Sequence, residues 1–310
     1  MCKCLFCYKE LNDGQKAYHP NCAKKFFGTK TLPAIEYGRA ELDGLASKII
    51  QSQTALTGVQ PKLSLNLVKH RDSSKLTIVG LWGNYIFKPQ TEEYPQLPET
   101  EDLTMHLADI AHIHTVPHCL IRMADNSIGY ITKRIDRTPE GKKIDMEDMC
   151  QLTEHPTEYK YRSSYEQVAK AIATYSSIPR LDMANYMQLL IFCFLTGNND
   201  MHLKNFSLYS PIGKPILTPA YDLLNVTIIN PKDKEETALT LNGKKSRLRL
   251  SDFITAGRTM GIAENTIMQT IAQFRKIMPK WEDMIRRSFL TTERQDAYIT
   301  LLHERMEKLQ

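Results

Sequence analysis

The stretch "LTGNNDMHLKNFSLY", residues 195–209, places three asparagines, an aspartate, a histidine and a lysine directly behind a long apolar run. The preceding segment "YMQLLIFCFL" is predicted to be a buried helix, and Gly197 suits the C-terminal cap of that helix. The polar residues would then form a loop that a buried helix holds in place. Asp200 and Asn205 stand in this loop with four residues between them, the pattern D-x-x-x-x-N.

The spacing of Asp200 and Asn205 is typical of phosphoryl-transfer enzymes, in which a carboxylate accepts the proton of the attacking hydroxyl and an amide oxygen binds Mg²⁺. A second metal-binding aspartate is expected after a short hairpin. Asp222 fills that position, because "FSLYS" and "PILTPAYD" are predicted strands joined by a turn. The alternative is an Asn/Asp turn with solvated side chains, since short motifs often occur by chance. Asp222 at hairpin distance favours the functional interpretation.

The composition of the whole chain is that of a globular protein. Its 310 residues are 42% hydrophobic and 24% charged, enough for one large domain or two lobes. The 40 Lys and Arg are spread among 35 Asp and Glu, so the net charge of +5 indicates nucleic-acid affinity only weakly. The N-terminus lacks the apolar core of a signal peptide, and no apolar run approaches the ~18 residues that span a bilayer. We expect a cytoplasmic protein that does not associate with membranes.

Three regions follow from the pattern along the chain. Residues 1–45 form a Cys-rich segment, residues 46–136 alternate short strand-like runs with turns, and residues 137–310 have mostly helical periodicity. We therefore expect an α+β fold with a small β-rich N-lobe and a mainly helical C-lobe. The catalytic groups would lie between the two halves.

The strands predicted for the second region are "KLSLNL" (62–67), "LTIVGLW" (76–82) and "YIFKP" (85–89), which together suggest a meandering antiparallel sheet. A helix is predicted over residues 97–113, followed by the strands "CLIRM" and "IGYITKRI". Strand-like runs also interrupt the third region between residues 206 and 250; they are "NFSLYS", "PILTPAYD", "NVTIIN" and "ETALTLNG".

A kinase also needs a cation on the nucleotide phosphates, and Lys88 at the end of "YIFKP" is the candidate. The alternative is a solvated lysine at a strand end. A loop over the phosphates is expected one strand earlier, although the chain there lacks a G-x-G-x-x-G. The candidate residues of this loop, in "QTALTGVQPKLSL", are Thr54, Thr57, Gly58, Gln60 and Lys62.

Seven blocks of the sequence, in this order, resemble the signature blocks of the HipA family. They are "TGVQPKLSLNL", "YIFKP", "YPQLPETEDLTMHLA", "ITKRIDR", "GNNDMHLKNFS", "LTPAYDLLN" and "LNGKKSRLRLSDF". The HipA family consists of bacterial serine/threonine kinases that act as toxins of toxin–antitoxin modules and have a two-lobed, protein-kinase-like fold. The resemblance covers roughly residues 46–305.

The resemblance implies a role for each matching residue. Asp200 would be the catalytic base, Asn205 and Asp222 would be magnesium ligands, and Lys88 would bind the ATP phosphates. The stretch from Lys133 to Ile135 resembles the hinge whose backbone meets adenine. Thr57, Gly58, Gln60 and Lys62 would belong to the phosphate loop. Either Glu99 or Glu101 would pair with Lys88, although acidic residues near a helix start also stabilise the helix dipole.

The chain departs from the family pattern in its phosphate loop. Ala55 stands where HipA-like kinases usually carry an autophosphorylated serine. Thr57, Thr54 and Ser52 are the alternative acceptors of autophosphorylation. A further alternative is that the chain has no regulation by autophosphorylation.

The chain also differs from longer members in what precedes the phosphate loop. Only about 45 residues stand there, too few for the N-terminal subdomain of those members. The resemblance is thus closer to the short, HipT-like form, which implies a small HipS-like partner, a HipB-like helix-turn-helix antitoxin, and DNA contact only through that antitoxin. Aminoacyl-tRNA synthetases are the family's known kind of target.

The N-terminal segment contains a separate candidate site. Cys4 and Cys7 form a C-x2-C pair, and His19 and Cys22 form an H-x2-C pair, which together suit tetrahedral Zn²⁺. Cys2 complicates the assignment. The alternative is a set of reduced cytosolic cysteines packed against nearby aromatic residues.

The function that these features favour is a serine/threonine protein kinase that uses ATP and Mg²⁺ and acts on a protein substrate. A small-molecule phosphotransferase shares the same metal and base residues and is the alternative among enzymes. A zinc-knuckle binding protein with an inactive kinase-like body is the alternative from another class.

Overall fold

The computed structural model describes residues 2–30, 33–35, 37–38, 41, 62–69, 74–79, 83–138 and 140–310. Six residues in or just before the predicted phosphate loop lie outside the described residues: Ser52, Thr54, Ala55, Thr57, Gly58 and Gln60. The chain divides into two compact units. The first comprises residues 1–102, 116–142 and 287–290, and the second comprises residues 103–115, 143–286 and 291–310.

The first unit is built on a six-stranded sheet. Its strands are β1 (Pro33–Ala34), β2 (Leu63–Lys69), β3 (Ser74–Ile78), β4 (Tyr85–Lys88), β5 (His118–Arg122) and β6 (Ile128–Lys133). The order across the sheet is β1-β3-β2-β4-β6-β5, and all neighbours are antiparallel except β1 with β3. The predicted strands are present, but the predicted meander is wrong. β4 pairs with β2 rather than with β3, so β4 lies inside the sheet between β2 and β6.

Helix α1 (Pro20–Phe27) belongs to the first unit, and helix α2 (Leu97–Ile110) begins in the first unit and continues into the second. α1 starts with a proline and ends at Gly28, whose φ of 67° lies in the left-handed region that favours glycine. Phe26 and Phe27 of α1 are buried, and their ring centroids lie 5.9 and 6.3 Å from that of Tyr85 on β4. The apolar face of α1 therefore packs on the strand that ends in Lys88.

The second unit is mainly helical. Its helices are α3 (Met149–Leu152), α4 (Tyr165–Tyr175), α5 (Pro179–Leu195), α6 (Val226–Ile229), α7 (Leu250–Thr259), α8 (Glu264–Arg287) and α9 (Thr292–Glu307). A small antiparallel sheet of order β7-β8-β9 joins them, with strands β7 (Met146–Asp148), β8 (Ser207–Tyr209) and β9 (Ile216–Leu217). Within the described residues, no helix is long and apolar enough to span a membrane.

Two strand predictions for this unit are wrong. "NVTIIN" contains the short helix α6, because the Asn225 side chain accepts a hydrogen bond from the Ile228 backbone N–H (3.1 Å) and caps that helix. "ETALTLNG" forms isolated bridges only, pairing Thr240 with Ser164 and Leu241 with Lys244. Branched side chains favour strands only weakly, so local capping and tertiary packing decide the outcome.

The helix before the polar loop, α5, is buried on nearly every side. Its Phe192 ring lies 5.8 Å from Trp281 of α8, and the Trp281 indole N–H donates to the backbone oxygen of Leu107 (2.9 Å). Its Tyr186 ring packs edge-on against Phe206 at 5.2 Å. The helix end is therefore a rigid support for the residues that follow.

Gly197 ends α5 as predicted. Its φ is 67°, its N–H donates to the Phe194 oxygen (3.3 Å), and the Asn198 N–H donates to the Cys193 oxygen (2.9 Å). These two bonds form a Schellman cap. A Cβ at Gly197 would lie 2.6 Å from a Leu301 side-chain atom, so the position requires glycine for both conformation and space.

We expect Gly197→Ala to lower the free energy of unfolding by about 2–3 kcal/mol, because a left-handed conformation and a steric clash combine. Gly213→Ala is the matched control. Gly213 has a φ of 75°, but no atom lies within 4 Å of the place that a Cβ would take, so a loss of about 1 kcal/mol is expected. Urea denaturation of both variants measures the difference. Equal losses of unfolding free energy in the two variants would show that the steric clash at Gly197 does not contribute.

Candidate active site

One group of candidate residues, in the first unit, surrounds a lysine buried at the end of β4. Lys88 is 4% exposed, and its Nζ donates a hydrogen bond to Oε1 of Glu101 over 2.5 Å. Glu101 lies on α2 and is 2% exposed. Nζ also lies 5.4 Å from the ring centroid of Tyr130, the residue that pairs with Lys88 on β6. A carboxylate and an aromatic ring thus hold the ammonium in one place.

Two glutamates are candidates to pair with this lysine, and the structure distinguishes them. Glu99 lies in the first turn of α2, where a negative charge is favourable to the helix dipole. Glu101 lies two residues further along and forms the ion pair with Lys88.

A second group of candidate residues, in the second unit, lies in the loop after α5. Oδ1 of Asp200 accepts a hydrogen bond from the Tyr161 hydroxyl over 2.5 Å. The Asp200 backbone N–H donates to Oδ1 of Asn198 (3.3 Å), and the Asn199 side-chain amide donates to the Glu235 oxygen (2.9 Å). The two asparagines therefore shape the turn, as the sequence predicts, and fix the backbone that carries Asp200.

Asn205 reaches back from the end of the same loop. It is 9% exposed, and its Nδ2 donates a hydrogen bond to the backbone oxygen of Asp200 over 2.8 Å. Because the amide nitrogen is used in this way, Oδ1 is the atom of Asn205 that a cation would contact. The four-residue spacing in the sequence thus corresponds to a direct contact between the two residues.

The hairpin of β8 and β9 returns the chain to this loop, as predicted. The Tyr221 hydroxyl lies 2.6 Å from the Ser207 hydroxyl and donates to the Lys204 backbone oxygen over 3.1 Å. Ser207 and Lys204 lie on either side of Asn205 in the sequence. Tyr221 therefore contacts the loop that carries Asn205, and Asp222 is the next residue in the chain. The φ of Asp222 is 54°, which few non-glycine residues adopt and which is often associated with functional sites.

Further contacts anchor the loop from outside. Nζ of Lys204 lies 2.6 Å from Oδ2 of Asp148, which also caps α3. The Tyr165 hydroxyl donates to the Met201 backbone oxygen over 3.2 Å. Both ends of the segment between Asp200 and Asn205 are therefore fixed by tertiary contacts.

Comparison with known proteins identifies the family. The sequence model of the HipA-like C-terminal domain matches residues 54–281. The chain belongs to the HipA-like kinase family. A relative from Haemophilus influenzae, named "Putative kinase", is 28% identical over 306 residues, which are 89% of this chain and 88% of the relative. "Putative kinase Y4dM" from Sinorhizobium fredii is 30% identical over 249 residues, which are 74% of this chain and 59% of that relative.

Two solved structures establish the fold of this HipA-like chain. HipA of Shewanella oneidensis MR-1, solved with HipB and its operator DNA, has a TM-score of 0.69 at 19% identity, covering 85% of this chain and 70% of its own. The proinflammatory kinase CtkA of Helicobacter pylori has a TM-score of 0.54 at 16% identity, covering 80% and 93% respectively. The predicted two-lobed, kinase-like α+β fold is confirmed.

Lys62, Lys133 and Ile135, the described residues among the others predicted to contact the nucleotide, lie in the first unit of the HipA-like chain. Lys62 precedes β2 and is exposed. Lys133 closes β6, with its Nζ 5.4 Å from the Phe26 ring centroid and its backbone N–H donating to the Pro117 oxygen (2.9 Å). The contact of the stretch from Lys133 to Ile135 with adenine stays a prediction.

Tyr161 is the residue near Asp200 that sequence reasoning missed. It stands 39 positions before Asp200 and belongs to no motif, so the sequence carries no signal for it. Tyr161 is partly exposed, and its partial burial, followed by the nearby Asp200 carboxylate, raises the pKa of Tyr161 well above its usual value. The hydroxyl therefore remains a donor at neutral pH. His202 packs edge-on against the Tyr161 ring, with centroids 4.8 Å apart, and supports its position.

We expect Tyr161→Phe to lower the kcat of phosphoryl transfer about tenfold, because the Asp200 carboxylate loses a charge-assisted hydrogen bond that orients it. Steady-state kinetics at saturating ATP measure the change. Tyr159→Phe is the matched control, since Tyr159 is also exposed but contacts Arg162 (4.7 Å) instead. Equal kcat values in the two variants would contradict a positioning role for Tyr161.

The predicted zinc ligands form a separate cluster in the first unit. Cys4, Cys7, His19 and Cys22 each place one donor atom within 4.8 Å of the others. Cys2 is exposed and lies outside this group. All four cysteines of the N-terminal segment are free thiols. The convergence of the four donors favours a metal site over an unrelated set of reduced cysteines.

Proposed function

We propose that this HipA-like chain is an ATP-dependent serine/threonine protein kinase. In this proposal Asp200 is the catalytic base, Lys88 binds the ATP phosphates, and Asn205 and Asp222 are Mg²⁺ ligands. The buried ion pair of Lys88 with Glu101 is the observation that carries it. Protein kinases use a strand lysine for the α- and β-phosphates and a helix glutamate to position that lysine.

The energetics of the buried pair favour a functional interpretation. Removing an ammonium and a carboxylate from water costs several kcal/mol per ion, and well-packed apolar residues are often at least as stable in their place. A lysine without a ligand usually extends its head to solvent, whereas Lys88 is 4% exposed. The pair is therefore better explained by the phosphates that it would bind than by a gain in stability.

The contacts of Asp200 suit proton acceptance. Its backbone is fixed by Asn198 and Asn205, while its carboxylate is partly exposed and already accepts a hydrogen bond from a hydroxyl, that of Tyr161. In the proposed reaction, Asp200 accepts the proton of a serine or threonine hydroxyl as the oxygen attacks the γ-phosphorus. The bond from the γ-phosphorus to the bridging oxygen breaks, and ADP leaves.

The donor atoms around this loop fit Mg²⁺. Asn205 offers its amide oxygen, because its amide nitrogen donates a hydrogen bond to the Asp200 backbone oxygen. Asp222 offers a carboxylate. A magnesium ion prefers oxygen ligands of this kind, and when bound with ATP it neutralises charge on the phosphates. Zinc at the Cys-rich cluster is a third cofactor of the proposal and has a structural role there.

The proposed domains follow the sequence regions. Residues 1–45 are the zinc knuckle, residues 46–136 the kinase N-lobe with its phosphate loop and ATP lysine, and residues 137–310 the helical C-lobe. Thr57, Gly58, Gln60 and Lys62 would contact phosphate.

We further propose that the kinase is a toxin of a toxin–antitoxin module. The solved Shewanella HipA is bound to HipB and operator DNA, which supports a HipB-like antitoxin as a partner. A small HipS-like protein is the second proposed partner, and an aminoacyl-tRNA synthetase is the proposed kind of protein substrate. Affinity purification of the chain from its native host is expected to recover both partners; recovery of this chain alone would count against them.

Labelled ATP tests the substrate class. The full chain is incubated with host-cell extract, ATP labelled in the γ-phosphate, and either Mg²⁺ or an excess of EDTA, and the products are separated by gel filtration. We expect label on protein as phosphoserine or phosphothreonine, only with Mg²⁺. Label that elutes with small molecules would instead identify a small-molecule phosphotransferase, and an absence of transfer would favour the inactive kinase-like body.

A further inference from the structure

The cysteine–histidine cluster brings four possible metal ligands together. Nδ1 of His19 lies 3.4 Å from Sγ of Cys7 and 3.8 Å from Sγ of Cys22. Ligands of a tetrahedral zinc ion, with Zn–S near 2.3 Å and Zn–N near 2.0 Å, lie about 3.5–3.8 Å from one another. The two distances from His19 are close to these values, and Cys4 supplies the fourth donor, with all four donor atoms within 4.8 Å of one another.

The orientation of His19 also suits a metal ligand. Its other ring nitrogen, Nε2, lies 2.9 Å from the backbone oxygen of Glu10 and can only donate to that carbonyl. The proton is thereby placed on Nε2, and Nδ1 presents a lone pair to the two thiols. A backbone carbonyl that fixes the metal-binding tautomer is the usual outer partner of a zinc-bound histidine.

The segment that carries the cluster is attached to the edge of the six-stranded sheet. Leu5, between the first two cysteine ligands, accepts a hydrogen bond from the backbone N–H of Leu120 on β5 over 3.1 Å. The Tyr18 hydroxyl, next to His19, donates to the Leu120 backbone oxygen over 2.5 Å. β5 is an edge strand, so these bonds cover backbone groups that would otherwise face solvent.

Tyr8 follows the ligand Cys7 directly and has an unusual backbone. Its φ is 61°, a left-handed conformation that a bulky residue rarely adopts. The conformation directs a fully buried ring to Phe289, with centroids 5.1 Å apart, and its hydroxyl donates to Oδ2 of Asp102 over 2.7 Å. A glycine would be the easier residue at this turn, which indicates that the tyrosine side chain is needed there.

Asp102 is the residue next to Glu101 on α2. Besides the Tyr8 hydroxyl, its carboxylate contacts Nδ1 of His118 on β5 (2.6 Å), and Asp102 is fully buried. Neighbouring residues of an α-helix point about 100° apart, so fixing the side chain of Asp102 fixes the rotation of α2 and the direction of Glu101. The same helix turn is thus held on one side by Tyr8 and on another by Lys88.

We propose that Cys4, Cys7, His19 and Cys22 bind one Zn²⁺, and that the loaded knuckle holds Tyr8 on Asp102 and thereby positions the turn of α2 that carries Glu101. The metal is structural, because four protein ligands fill a tetrahedral shell and leave no open position. Tyr8 acts as a positioning residue that connects the metal to this helix.

Metal content tests the site directly. The full chain, purified under reducing conditions and dialysed against Zn²⁺, is expected to contain one zinc per chain by atomic emission. Cys2→Ser is expected to retain that zinc, because Cys2 lies outside the cluster. Cys22→Ser is expected to lose most of it. A wild-type chain without zinc, or equal zinc in all three proteins, would overturn the site.

Hydrogen exchange tests the connection to the helix. Tyr8→Phe keeps every ligand and the ring, so this variant is expected to retain zinc while the amides of residues 97–103 exchange about tenfold faster. Chelation of zinc from the wild-type chain is expected to have the same effect, with the amides of α8 unchanged as an internal control. Unchanged exchange of residues 97–103 in both cases would overturn the positioning role. Neither readout depends on phosphoryl transfer.

Discussion

Asp200→Asn is expected to lower the kcat for phosphoryl transfer by about 10²–10⁴-fold, the usual contribution of a general base. The asparagine keeps an oxygen that can accept the Tyr161 hydroxyl bond, but it cannot take the proton of the attacking hydroxyl. The KM for ATP is expected to change by less than about threefold, because the proposed phosphate contacts lie at Lys88 and the phosphate loop and not at Asp200. Steady-state kinetics with saturating acceptor measure both constants.

The control for Asp200→Asn is a measurement of its free energy of unfolding. Asp200 is partly exposed and the substitution is nearly isosteric, so the free energy of unfolding is expected to remain within about 0.5 kcal/mol of wild type. A loss of kcat with unchanged stability assigns the effect to chemistry. If kcat is unchanged instead, Asp200 is not the base.

Lys88→Met is expected to abolish detectable phosphoryl transfer and also to lower the free energy of unfolding by about 3–5 kcal/mol. The first effect follows from loss of the proposed phosphate cation, and the second from leaving the Glu101 carboxylate buried without its ammonium partner. ATP affinity measured by calorimetry and urea denaturation of the same preparation separate the two effects.

A double variant makes this prediction sharper. In Lys88→Met with Glu101→Leu, both members of the pair are apolar, so most of the lost stability is expected to return while transfer stays absent. If stability returns without activity, the ion pair of Lys88 and Glu101 serves phosphoryl transfer and is not required for stability. If the double variant regains transfer, Lys88 does not bind the phosphates; if it stays as unstable as the single variant, the pair is needed for folding.

The loop after α5 could be predicted from the sequence because its signals are local. Gly197 is a cap that the backbone requires, the spacing of Asp200 and Asn205 corresponds to a direct contact, and the hairpin before Asp222 follows from two short strands and a turn. Such features depend on neighbours in the chain, so pattern and propensity are sufficient to find them.

The rest depends on tertiary contacts that no local pattern specifies. Glu99 and Glu101 are two positions apart on one helix, and only the packing of α2 determines which one meets Lys88. Tyr161 reaches Asp200 across 39 positions, and Tyr8 reaches Asp102 across 94. These contacts can be found only in the folded chain, because residues so far apart in the sequence form no local pattern.

Transfer of the γ-phosphate in a single turnover tests the central claim most directly. Wild-type and Asp200→Asn proteins with matched unfolding temperatures are mixed with Mg²⁺, γ-labelled ATP and host-cell extract, and label on protein hydroxyls is followed with time. We predict rapid labelling of serine or threonine by the wild-type chain and almost none by the variant over the same interval. Equal labelling by the two proteins, or none by wild type, would contradict the account.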